Sequence, residues 1–183
     1  DTKLGRMVAI KVLKHEDGNL ARLIQEARTA AQLNHPNIVT IHEIGEHDGG
    51  VFVVMELIEG ETLQHCIGAR KLPIAQALEY VHSKGIVHKD LKPENVLIDA
   101  RGDIRLIDFS LPQTKWDRML QFGKKVEGTP MYMPPEQVRG EKVDPRTDIY
   151  AFGLIAYELL AKKVPFPSTD TYKLMEMHLR QTP

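Results

Sequence analysis

The sequence predicts an α+β chain in two parts, a small strand-rich part over residues 1–58 and a larger, mainly helical part over residues 59–183. Three observations predict it. The first third reads strand, helix, hairpin. In the second part, residues 148–160 are apolar on nearly every face, which describes a helix buried all round. Between the two, Glu59-Gly60-Glu61 breaks the pattern as a linker does.

Taken in order, residues 7–13 are rich in Val and Ile and interrupted only by Lys11, as in a mostly buried strand. Asn19 can cap a helix over residues 20–34, because Leu20, Leu23, Ile24, Ala27 and Ala31 fall on one 3.6-residue face, with Glu26 at its border. His35-Pro36-Asn37 stops that helix, and residues 38–44 and 51–57 read as two strands joined by a polar turn at 47–50. In the second part Pro73 stands at a first helical position and Gly85 just past a last one, with Ile74, Ala77, Leu78 and Val81 at helical spacing between them. Residues 96–98 and 104–107 form a hairpin that presents Asn95 and Asp108 near its open end. A last helix runs over residues 172–180.

A chain of 183 residues can bury roughly 70% of its unfolded surface, so core size sets no obstacle. The net charge of −1 gives no electrostatic case for DNA, RNA or an anionic membrane. Cys66 is the only cysteine, which excludes an intrachain disulfide and fits a reducing, cytoplasmic setting. No apolar run approaches the length of a membrane span. The chain opens on Asp1 without a methionine or a leader and stops at Pro183, as a piece of a longer protein would. Its histidines and cysteine lack zinc-site spacing. Lys124-Lys125 and Lys162-Lys163 are too short to mark a nucleic-acid surface, and Trp116 reads as a packing residue.

The chemistry is concentrated in residues 87–98 and 108–110. Asp90, Lys92 and Asn95 put a proton acceptor, a phosphate-facing cation and a metal-facing amide on one loop, and Asp108 arrives from the next hairpin. That spacing suits phosphoryl transfer, which needs a positioned hydroxyl, a neutralised γ-phosphate and Mg²⁺ held by hard oxygen ligands.

Several short motifs in one order then carry a family resemblance. Val8-Ala9-Ile10-Lys11, Glu26, His88-Lys89-Asp90, Asp108-Phe109-Ser110 and Pro134-Pro135-Glu136 together resemble a eukaryotic-type protein kinase domain of the bacterial serine/threonine kind, incomplete at both ends. The resemblance implies a two-lobed kinase fold, ATP and Mg²⁺ as cofactors, and proteins bearing serine or threonine as substrates. It implies that Lys11, paired with Glu26, meets the α- and β-phosphates, and that Asp90 accepts the substrate proton. Lys92 would stabilise the transferred group, Asn95 and Asp108 would hold Mg²⁺, and Thr129 would help seat the hydroxyl. Ala9, Met55, Ile58 and Leu97 would sandwich adenine, with backbone groups of Glu56 and Ile58 reading the ring edge. Asp148 would anchor the catalytic loop from beneath; the bland alternative is a helix cap.

Departures from the family's pattern carry expectations of their own. The glycine-rich loop would lie before Asp1, the helix after Pro73 is short, and the last helices are absent, so Glu136 is expected to be exposed or paired locally. Lys89 replaces an arginine that grips a phosphorylated loop, Ser110 replaces a glycine, and Thr114 is the phosphosite candidate by position. The rival reading is a kinase-like interaction module without catalysis; a small-molecule kinase is the more remote one.

Overall fold

A computed structural model describes residues 1–13, 20–48, 50–65, 73–109 and 130–182. Asn19, Gly49, Cys66, Ser110, Thr114, Trp116, Lys124, Lys125 and Thr129 lie outside these residues. The first part carries β1 (Val8–Leu13), α1 (Leu20–Ala31), β2 (Ile41–His47) and β3 (Gly50–Glu56), in a three-stranded antiparallel sheet of order β1-β3-β2. A second sheet of order β4-β5-β6 is built from β4 (Gly60–Thr62), β5 (Val96–Asp99) and β6 (Ile104–Leu106). The second part also carries α2 (Ile74–Ser83), the short α3 (Pro135–Val138), α4 (Pro145–Ala161) and α5 (Thr171–Arg180). Among the described residues no helix is long and apolar enough to cross a membrane.

β1 departs from the mostly buried strand expected of it. Strand side chains alternate between faces, and Ala9, Lys11 and Leu13 turn inward while Ile10 and Val12 are 62% and 64% exposed. Ala9 and Leu13 pack with Ala27, Val39, Val53 and Met55 in a small core, so the inward register that seats them also aims Lys11 at the site. Among the described side chains of α1, Ala27 and Ala30 are buried and Ile24 is half-buried, while Ala31 is exposed and the helix ends there, short of residue 34; the side chains of Leu20 and Leu23 lie outside the described ones.

Residues 38 and 39, expected in a strand of the first sheet, bond across to the second. Ile38 forms a parallel bridge with Leu106, the Val39 N–H donates to the Leu106 carbonyl at 2.9 Å, and the Leu106 N–H donates to the Asn37 carbonyl at 2.8 Å. The expected linker at 59–61 is likewise partly a strand: Gly60 faces Asp99, Glu61 faces Ile98 and Thr62 faces Leu97.

α2 follows its sequence signals. Ile74, Ala77, Leu78 and Val81 are its buried face, and Pro73 takes the cap position. Its end is a Schellman turn, in which the Gly85 N–H donates to the His82 carbonyl and the Ile86 N–H to the Val81 carbonyl, with Gly85 at φ +70°. α4 begins earlier than residue 148, capped by Asp144, whose Oδ1 accepts the Arg146 N–H at 2.8 Å. It is not buried all round: Ala151 and Ile155 enter the large core and Leu154 meets Phe166 and Leu174, whereas Ile149 and Leu160 are 57% and 86% exposed.

Candidate active site

The loop between α2 and β5 is shaped by one buried carboxylate. Asp148, on the first turn of α4, is fully buried, and its Oδ2 accepts the His88 N–H at 2.8 Å while Oδ1 accepts the Lys89 N–H at 2.9 Å. His82 on α2 adds its Nε2 at 2.8 Å from Oδ2. A carboxylate taken out of water needs partners on both oxygens, and here each oxygen takes one backbone N–H of the loop it anchors. The helix cap is Asp144, so the anchoring role is the one the geometry favours for Asp148.

His88 is the loop's inner wall. Its ring is fully buried, lies 4.5 Å from that of Phe109, and places Nε2 3.0 Å from the Ile107 carbonyl. Its Nδ1 accepts the Asp90 N–H at 3.3 Å, which assigns the proton to Nε2. Burial pushes the His88 pKa down, with Asp148 pulling the other way, so the ring stays neutral as this pairing requires.

Beyond His88 the backbone turns through Lys89 at φ +70° and delivers Asp90 to an open cleft of about 460 Å³. There Lys92 Nζ lies 2.9 Å from Asp90 Oδ2, and Asn95 Nδ2 lies 3.0 Å from the same oxygen and 2.8 Å from the Asp90 carbonyl. Among the described residues no hydrogen bond falls on Asp90 Oδ1. Pro93 starts the 3₁₀ turn Pro93–Asn95, and the Ile107 N–H donates to the Asn95 carbonyl at 3.0 Å, which ties this loop to the segment that brings Asp108.

Asp108 sits just past β6 at φ +63°, and Lys11 Nζ reaches its Oδ1 at 2.6 Å. Residues 97 positions apart in the chain therefore share one charged site. Glu26 lies on α1, but its side chain is outside the described ones. Ala9 and Met55 face one another across β1 and β3, Ile58 is half-buried beyond β3, and Leu97 is half-buried on β5. The Glu56 N–H is committed to the Thr40 carbonyl at 2.9 Å, and the Glu56 carboxylate accepts the Thr40 N–H at 2.7 Å.

The cleft's other wall comes from residues 130–137. Tyr132 donates its hydroxyl to Glu158, and burial together with that carboxylate raises its pKa. Glu136 accepts the Thr147 hydroxyl at 2.6 Å, the local partner expected for it. Two residues that sequence reasoning did not single out belong here: His82, and Gln137, whose Nε2 donates to the Lys89 carbonyl at 2.9 Å.

A family model described as "Protein kinase domain" matches residues 1–183. Among curated relatives, a probable serine/threonine-protein kinase of Streptomyces coelicolor is 37% identical over 204 residues, covering 100% of this chain and 30% of that protein. Serine/threonine-protein kinase PrkC of Bacillus subtilis is 36% identical, covering 100% of this chain and 31% of its own. For serine/threonine-protein kinase pkn2 of Myxococcus xanthus the values are 38% identity, 98% of this chain and 24% of that protein. The chain thus spans about a third or less of the length of these relatives.

Proposed function

Because the chain belongs to the protein kinase domain family, we propose that it serves ATP-dependent phosphorylation of serine and threonine in proteins. The observation that supports this reading is the pairing of Lys11 with Asp108 across 97 positions of sequence, on a segment that the Ile107 N–H ties to the carbonyl of Asn95, in the loop where Lys92 and Asn95 hold Asp90.

The residues fit the groups the reaction needs. Asp108 offers a carboxylate and Asn95, whose Nδ2 is turned to Asp90, offers an amide oxygen; Mg²⁺ takes one or two such protein ligands and completes its shell with phosphate and water. When bound, Mg·ATP supplies the phosphoryl group and the divalent charge that neutralises it. The chain's own contribution is positioning. Asp90 accepts the proton of the acceptor hydroxyl, with Asn95 and Lys92 fixing its carboxylate through Oδ2. Lys11 brings an ammonium to the phosphates, with Glu26 as its partner in the loaded state and Asp108 as its partner here. Thr129 seats the acceptor hydroxyl. Ala9, Met55, Ile58 and Leu97 flank the adenine. With the Glu56 N–H held by Thr40, the ring edge is left to the Glu56 carbonyl and the Ile58 backbone.

The rival reading, a module that binds partners without catalysis, draws on exposed apolar side chains such as Leu160, 86% exposed. One assay separates the two. Transfer of labelled phosphate from Mg·ATP to a generic protein is expected to fall about 10²- to 10⁴-fold in Asp90→Asn, the usual worth of a positioned base. Equal signal from both proteins would reject the role given to Asp90.

A further inference from the structure

The catalytic loop holds one residue in a conformation its side chain disfavours. Lys89 lies at φ +70°, in the left-handed region that glycine and asparagine visit readily and lysine does not. Such a residue persists only where its surroundings fix it. Its own N–H is fixed by Asp148 at 2.9 Å, and the next N–H, that of Asp90, by His88 at 3.3 Å. What remains is the Lys89 carbonyl. Rotation about the bond that carries it would swing the peptide from which the Asp90 side chain departs.

That carbonyl accepts a hydrogen bond from Gln137 Nε2 at 2.9 Å. The donor comes from a short but anchored element. The Gln137 N–H donates to the Pro134 carbonyl at 3.0 Å, which starts α3, and the neighbouring Glu136 is bound at 2.6 Å by Thr147, one residue before Asp148 on α4. Both ends of the Lys89 residue are therefore referred to the same helix, its N–H directly through Asp148 and its carbonyl through α3. Gln137 is half-buried and also lines the cleft beside Asp90.

We infer that Gln137 is a positioning residue for Asp90, locking the strained Lys89 peptide and coupling the acceptor-side wall of the cleft to the catalytic loop. The inference rests on the kinase reading above for its functional half and on geometry alone for its structural half.

The test uses two variants in the full chain. Gln137→Met keeps the length and removes the donor; Gln137→Glu sets a carboxylate oxygen against the Lys89 carbonyl. With Mg·ATP and a protein acceptor, kcat is expected to fall about tenfold in the first and further in the second, the usual effect of losing a part-buried hydrogen bond at a site that demands exact placement. KM for Mg·ATP is expected to stay unchanged, since Gln137 lies on the acceptor side. Backbone hydrogen exchange over residues 87–91 is expected to quicken in both variants at an unchanged melting temperature. Wild-type kcat and wild-type exchange in Gln137→Met would overturn the inference. So would a loss of kcat that merely tracks loss of folded protein. Absence of any Asp90-dependent transfer in the wild type would instead sink the kinase reading, and the exchange measurement would still decide the clamp, unchanged rates overturning it.

Discussion

At the scale of single residues, buried and half-buried polar groups are where this chain is most constrained and least legible. Asp148 was readable because it stands in Asp148-Ile149-Tyr150-Ala151-Phe152-Gly153, a stretch with a family counterpart. Gln137 and His82 were not, because a hydrogen bond to a carbonyl or carboxylate brought near only by folding leaves no local pattern. His178 is a third such group. It is 3% exposed, its Nδ1 meets the Tyr150 hydroxyl at 3.0 Å, its edge packs on Phe166, and among the described residues Nε2 makes no hydrogen bond of normal geometry. Burial pushes its pKa down to about 4, and the Pro130 backbone offsets only part of this. The sign follows from linkage. The unfolded chain takes up the proton near pH 6.5 and the folded chain only near 4, so the stability tied to the neutral ring is complete above about 6.5 and is lost as pH falls towards 4. The full effect is on the order of 3 kcal/mol. Melting temperatures between pH 7 and pH 4 are therefore expected to fall more steeply for the wild type than for His178→Phe; parallel slopes would show that the imidazole is not the titrating group.

At the scale of elements, legibility depended on whether side chains or backbone build the element. α2 announced itself through Pro73, Gly85 and four apolar residues at helical spacing, because its burial is a side-chain matter. β4 did not, because Gly60-Glu61-Thr62 has no apolar alternation and is held by the ladder to β5. β1 and α4 looked more buried than they are, since composition shows how apolar a segment is but not which of its faces finds a neighbour. What makes β4 possible is visible at Gly60: a Cβ there would lie 2.0 Å from the Ile98 carbonyl oxygen and 2.9 Å from the Asp99 Cα. Both obstacles are backbone and cannot rotate away. Gly60→Ala is expected to push β4 off β5 and to cost about 1–3 kcal/mol, the usual range for overpacking. A urea midpoint equal to that of the wild type would show that β4 contributes no such close approach.

At the scale of the whole molecule, two lobes divide the strands and helices, yet they do not divide the core. Ala30, Leu33 and Ile38 belong by chain position to the first part and by packing to the large core of Val81, Val96, Leu106 and Ile155. The seam is bonded as well as packed. Asn37 Nδ2 donates to the Ile104 carbonyl at 3.1 Å, Arg105 reaches the Pro36 carbonyl, and the Tyr80 hydroxyl accepts the Asn34 N–H at 3.2 Å. This seam runs into the site itself, since β6, which Ile38 bridges, leads within two residues to Asp108 and so to Lys11. A joint of this kind predicts that the two parts lose structure together. Ile38 is the residue on which to ask, being 2% exposed and central to the joint. Ile38→Ala removes its contacts with the large core and is expected to destabilise by about 2–5 kcal/mol, as truncation of a buried isoleucine does. Under native conditions, hydrogen exchange in β1–β3 and in α2 should then accelerate by the same factor, because one cooperative unit opens. Acceleration confined to β1–β3 would mean that the first part opens alone, and that the Lys11–Asp108 contact is made between two independently stable bodies.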